Sequence, residues 1–98
     1  MTFKDLKFKP HKVLPKKGIQ ATLEVKPQVF VSVIAGEGFY SSAKGTGIRG
    51  AVTSEKNVAS FEVGIIDENL PEDQQEWDVQ GWMRREEISK LIKSYGKS

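Results

Sequence analysis

Two strand-forming runs joined head to tail across a proline constrain this chain more than any other feature. In Gln20-Ala21-Thr22-Leu23-Glu24-Val25-Lys26 apolar and polar side chains alternate, the period of a strand buried on one face. Val29-Phe30-Val31-Ser32-Val33-Ile34-Ala35 is β-branched and apolar on both faces, which suits a central strand covered on both sides. Pro27 and Gln28 then form the central pair of a tight turn, and the two runs make an antiparallel hairpin. That turn sets Val25 opposite Phe30, Leu23 opposite Ser32 and Ala21 opposite Ile34, leaving Val29, Val31 and Val33 on a face that needs its own cover. A slip of one residue would exchange the two faces.

Further elements extend the hairpin. A third strand is expected through residues 58–66, where Ala59, Phe61, Val63 and Ile65 share a face, and a weaker one through residues 48–53. Leu6 and Phe8 alternate with Asp5, Lys7 and Lys9, a pattern for a short edge strand whose lysines discourage edge-to-edge association. Near the C-terminus Ile88, Leu91, Ile92 and Tyr95 fall on one stripe of a helix over residues 84–95, with Gly96 as its stop. Residues 36–50 hold five glycines and read as a loop, and residues 67–82 read as an acidic connector. With 98 residues there is room for one core. The expected fold is a single α+β domain over residues 1–98: a mainly antiparallel sheet of three to four strands with one C-terminal helix packed on it.

The net charge of +2 conceals three blocks. Residues 1–18 carry six lysines against Asp5; residues 67–78 carry six carboxylates and no base; residues 84–98 are basic again. No apolar run approaches the ~20 residues of a membrane span, and the Lys-rich start lacks the apolar stretch of a signal peptide, so a cytoplasmic protein with no membrane partner is expected. There is no Cys and a single His. Thiolate metal sites and cysteine nucleophiles are thereby excluded, and His11 has no second imidazole beside it. Neither catalytic residues, nor metal ligands, nor a cofactor is expected. Gly45-Thr46-Gly47-Ile48-Arg49-Gly50 matches a dinucleotide-binding glycine pattern literally, but Ala51-Val52-Thr53-Ser54-Glu55 offers no helical stripe, so a surface loop is expected.

Two sets of residues are candidates for binding. Phe39, Tyr40, Lys44 and Arg49 combine ring faces and cations on a Gly-rich loop, while Asp73, Glu76 and Trp77 form an acidic strip with an aromatic anchor. Trp77 is expected to be exposed among the acids, and Trp82 to pack the helix start onto the sheet. The second set, Lys7, Lys9, His11, Lys12, Lys16 and Lys17, would contact phosphates if the partner were a nucleic acid, with Phe39, Tyr40 and Arg49 stacking and pairing beside them.

An ordered series of short matches resembles a family of small uncharacterised bacteriophage proteins. The matching pieces are Phe8-Lys9-Pro10-His11, Gly18-Ile19-Gln20-Ala21, Val31-Ser32-Val33-Ile34, Gly38-Phe39-Tyr40, Phe61-Glu62-Val63-Gly64-Ile65-Ile66 and Asp78-Val79-Gln80-Gly81-Trp82-Met83, followed by Glu86-Glu87-Ile88. The chain departs from that family at Lys26-Pro27-Gln28, where the family has an Asn-Gly turn, and at residues 72–77. It departs again at Arg84, where a Thr N-cap would stand. The resemblance implies a phage origin and a β-rich domain with a C-terminal helix, but no established activity. The leading expectation is a non-enzymatic host-takeover or anti-defence factor that binds a host or viral protein. A nucleic-acid-binding module is the alternative, and a homodimer through the valine face or a free sheet edge is open.

Overall fold

The computed structural model describes residues 2–13, 16–44, 47–48, 50, 52–71 and 78–96. It is an α+β fold, an antiparallel sheet with one C-terminal helix packed against it. The strands are β1 (Lys9–Pro10), β2 (Gly18–Lys26), β3 (Val29–Gly36), β4 (Ser42–Ala43), β5 (Gly47–Ile48), β6 (Val58–Asp67) and β7 (Asp78–Met83), and the helix is α1 (Arg85–Gly96). Short 3-10 turns occupy Phe3–Asp5 and Glu55–Asn57. Five strands lie side by side as β1-β2-β3-β6-β7, while β4 pairs with the start of β6 and β5 with β4.

The hairpin forms where expected, but its register is one residue away from the simple pairing. Lys26 faces Val29, yet Glu24 faces Phe30 and Leu23 faces Val31, because the ladder is irregular between Glu24 and Lys26 and Val25 is the extra residue. Such a bulge inserts one residue into one strand and displaces everything beyond it by one position. The slip gathers the apolar residues on one face. Ala21, Val33 and Val63 stand in one row and Leu23, Val31 and Ile65 in the next. The valines expected to need a separate cover are therefore the core itself: Val31 and Val33 are fully buried, and Ile88 and Ile92 of α1 are buried with them. Burying an Ile side chain contributes about 1.5–3 kcal/mol, so this helix stripe contributes substantially to holding the layers together.

The N-terminal segment completes the covered side. Leu6 is buried, Phe3 and Phe8 pack against the core, and the rings of Phe3 and Phe8 lie 5.2 and 5.6 Å from that of Phe61. The Phe3 N–H donates to Ser89 Oγ at 3.0 Å, fastening this segment to α1. At the helix start Arg84 offers no side-chain oxygen, but Glu87 supplies the reciprocal half of a capping box: its Oε1 accepts the Arg84 N–H at 3.1 Å. Glu86 and Glu87 also place negative charge in the first turn, where the helix dipole favours it.

The structure corrects several expectations. Among the described residues the sheet has seven strands rather than three or four, because β1, β4 and β5 are two-residue pieces and β7 lies inside the expected acidic connector. The Gly-rich stretch is broken by β4 and β5, and of the strand expected through residues 48–53 Ile48 lies in β5 whereas Gly50, Val52 and Thr53 lie outside any strand. Ala59 is exposed between buried Val58 and Ser60, so the apolar face of β6 begins at Phe61; the β4–β6 register shifts at this point.

Candidate functional site

The face of the sheet away from α1 is built from the other set of alternating residues. Across the strands its rows read Lys9, Gln20, Ile34, Glu62; then Thr22, Ser32, Gly64, Val79; then Glu24, Phe30, Ile66. Phe30, Ile34 and Ile66 are half-buried, and Val79 is exposed.

One end of this face carries the loop of residues 37–41, and the loop is held firmly. Ser41 is buried, its Oγ accepting the Gly36 N–H at 3.0 Å and donating to the Gly36 carbonyl at 3.3 Å. Gly36 has φ +150°, and a Cβ there would sit 2.4 Å from the Lys17 carbonyl oxygen, so only glycine fits the turn out of β3. The Glu37 N–H donates to that same oxygen at 3.0 Å. Phe39 and Tyr40 are thus sent in different directions. Phe39 is half-buried, its ring against Gly18 and 4.9 Å from the His11 ring. Tyr40 is 48% exposed and reaches β7.

The contact at β7 departs from regular strand geometry. Trp82, expected to anchor the helix start in the core, is 47% exposed. Its φ is +53°, a left-handed conformation that costs an L-residue about 1–2 kcal/mol. The cause is an irregularity in the β6–β7 ladder: Phe61 faces Met83 and Val63 faces Gln80, so Gly81 and Trp82 share the place opposite Glu62. Bulges of this kind re-aim a side chain. The Trp82 N–H donates to the Tyr40 carbonyl at 2.8 Å, the two rings lie 5.4 Å apart at 57°, and a Cβ on Gly81 would come within 2.7 Å of Tyr40 Cβ. Glu62 Oε1 accepts the Tyr40 N–H at 3.3 Å. Loop, bulge and carboxylate therefore fit one another and hold two partly exposed aromatic rings side by side.

The remaining candidates are distributed elsewhere. Lys44 is exposed beyond β4, its N–H bonded to the Asn57 carbonyl at 2.7 Å. Arg49, Asp73, Glu76 and Trp77 lie outside the described residues. Lys7 and Lys9 line a depression of about 190 Å³ with Gln20, Ala21 and Thr22 at the β1 edge. Lys12 donates its N–H to Gln20 Oε1 at 3.2 Å, Lys16 is exposed, and Lys17 pairs with Glu37 at 3.7 Å. His11 Nδ1 accepts the Val13 N–H at 3.2 Å. Lys9 of β1 and Trp82 of β7 stand at opposite edges of the five-strand array. Phe39 on His11 and Glu37 on Lys17 link the loop to the basic segment.

A further depression, about 480 Å³, is lined by Phe3, Lys4, Phe8, Glu55 and Arg85. Arg85 is committed within the fold there. It donates Nε to Glu55 Oε1 at 3.0 Å, Nη1 to the Val58 carbonyl at 2.9 Å and Nη2 to the Glu55 carbonyl at 2.8 Å, with its guanidinium 5.5 and 5.2 Å from the Phe3 and Phe61 rings. Sequence reasoning missed both Arg85 and the outward Trp82; the only signal for the latter was Gly81 directly before it.

Among the described residues no helix is long and apolar enough to cross a membrane, and no three His, Asp or Glu side chains cluster to hold a metal. No protein-family model, curated protein or solved structure matches the chain. The resemblance to phage proteins thus rests on the residues quoted for it.

Proposed function

We propose that this protein is a non-enzymatic binding module that docks a protein partner through Trp82, Tyr40 and the sheet face beside them. The observation that carries this reading is Trp82 itself. A tryptophan held half-exposed at φ +53° adds backbone strain and forgoes much of the burial that makes Trp stabilising, so folding gains little from the arrangement. Rigid, partly exposed Trp and Tyr side chains are the groups that dominate protein–protein contacts. The phage resemblance makes a host protein in the bacterial cytoplasm the first partner class to try, with host takeover or anti-defence as the role.

Affinity capture from a bacterial lysate tests this, using the wild type and Trp82→Ala in parallel, with and without nuclease. A protein retained by the wild type, insensitive to nuclease and lost with Trp82→Ala is the expected result, circular dichroism showing the variant folded. Retention that nuclease abolishes, or that Trp82→Ala leaves unchanged, overturns the reading.

A second reading, nucleic-acid binding, draws on the contact of Phe39 with His11, which brings an aromatic ring to the Lys7, Lys9 and Lys12 edge. Counterion release makes such binding strongest at low salt, so a gel-shift at ~50 mM salt decides it: no shift removes the reading.

A further inference from the structure

The sheet face away from α1 has a charge pattern that specifies its partner more closely. Its positions on β2, β3 and β6 carry Glu24 and Glu62 and no Lys or Arg, while Lys7 and Lys9 border it at the β1 edge. Between and beside the carboxylates lie Phe30, Ile34, Ile66, Val79 and Trp82, each half-buried or exposed. The middle of the face thus carries carboxylates alone, with lysines only along its β1 margin. We infer that it receives a protein segment carrying arginine or lysine side chains beside apolar ones, an inference that rests on the reading of Trp82 as a protein contact.

The chemistry favours that occupant over the others. A guanidinium stacks on an indole face and forks onto a carboxylate, and Trp82 and Glu62 stand opposite each other across β6 and β7. Glu62 spends Oε1 on the Tyr40 N–H, leaving Oε2 for an incoming cation. Glu24 is exposed two rows away beside Phe30, four residues along β3 from the row of Glu62, its Oε2 accepting the Gln28 N–H at 3.4 Å, so a second cation about four residues along an extended segment meets a second carboxylate. Nucleic acid would lay phosphates against both glutamates. A second copy of this face would bring the same carboxylates together, with Lys7 and Lys9 only at the margin.

The test is an NMR titration of the isotope-labelled full chain with the blocked pentapeptide Arg-Ile-Arg-Ile-Arg and, separately, with Glu-Ile-Glu-Ile-Glu. The arginine peptide is expected to shift the amides of Glu24, Phe30, Ser32, Gly64, Val79 and Trp82 saturably, and to bind several-fold more weakly when salt rises from ~50 to ~300 mM. Glu24→Lys, a change at an exposed strand position, should weaken it at least about threefold without altering the far-ultraviolet spectrum. Shifts confined to other surfaces, equal binding of the acidic peptide, or no effect of Glu24→Lys would overturn the inference. So would a concentration-dependent dimer in sedimentation equilibrium that Phe30→Lys abolishes, since that assigns the face to a second copy. In each of those cases the capture experiment with Trp82→Ala independently decides whether the protein-binding reading stands.

Discussion

The main-chain N–H of Trp82 bonds to the carbonyl of Tyr40 at 2.8 Å, so the outward tryptophan and the tip of the β3–β4 loop are fixed as one unit. Because the bond is made by backbone, it survives replacement of either side chain. Removing the indole therefore separates recognition from folding. Trp82→Gly relieves about 1–2 kcal/mol of left-handed strain and gives up about 0.5–1.5 kcal/mol of ring contact, so its unfolding free energy should lie within ~1 kcal/mol of wild type. A buried Trp would instead cost about 3–5 kcal/mol on truncation. Denaturant unfolding distinguishes these outcomes, and partner capture should be lost in the same variant.

Gly81 is the complement of that arrangement. An alanine Cβ would stand 2.7 Å from Tyr40 Cβ, closer than packed carbons approach, and both backbones are tied. Gly81→Ala should push the loop off β7 and destabilise by about 1–3 kcal/mol, the range for overpacking. A thermal melt measures the cost, and amide shifts at residues 39–41 locate it.

Two glycines of the preceding turn make a controlled pair. Gly36→Ala sets a Cβ 2.4 Å from the Lys17 oxygen at φ +150°, and both strain and collision apply, about 3–5 kcal/mol together. Gly38 has φ +86° with nothing within 4 Å of the added carbon, so Gly38→Ala should cost only about 1 kcal/mol. Equal midpoints for the two variants in urea would contradict this account of the turn.

How far the fold is legible in the sequence depends on the range over which each signal acts. β2, β3, β6 and α1 are written in periodicity, which each segment carries within itself. The Val25 bulge is not, because it depends on how the turn closes: Gln28 adopts φ +67°, the second central position of a Pro-led type II turn. β7 is hidden for a different reason. Asp78-Val79-Gln80-Gly81-Trp82-Met83 mixes a carboxylate, an amide and a glycine, and only its pairing with β6 makes it a strand. Of the proposed site, Tyr40 is visible as an aromatic on a Gly-rich loop. Trp82 reads as core, because burial is the usual fate of tryptophan and only the β6–β7 bulge turns it outward.

The bulged hairpin itself offers a stabilising substitution. Gln28 holds a left-handed φ with a Cβ, and the position is one that glycine occupies without steric cost. Gln28→Gly should raise the unfolding free energy by about 0.5–1 kcal/mol, strain relief outweighing the added freedom of the unfolded chain. A lower midpoint would mean that Gln28 makes a compensating contact.

Arg85 tests how the helix start is held. Its three donors reach one carboxylate and two carbonyls, and only the carboxylate lies on a side chain. Both ends of the ion pair are about a third exposed, with side-chain values of 31% and 32%, so solvent screening keeps the charge term small. Glu55→Gln should consequently cost under ~1 kcal/mol, since Arg85 keeps its bonds to the Glu55 and Val58 main chain. Arg85→Lys is different: one ammonium lacks the planar fork and the flat face that Arg85 sets against the Phe3 and Phe61 rings. Losing two hydrogen bonds and the ring contact should cost about 2–3 kcal/mol. If urea unfolding gave the two variants the same loss, the ion pair rather than the main-chain bonds would be fastening α1 to the start of β6.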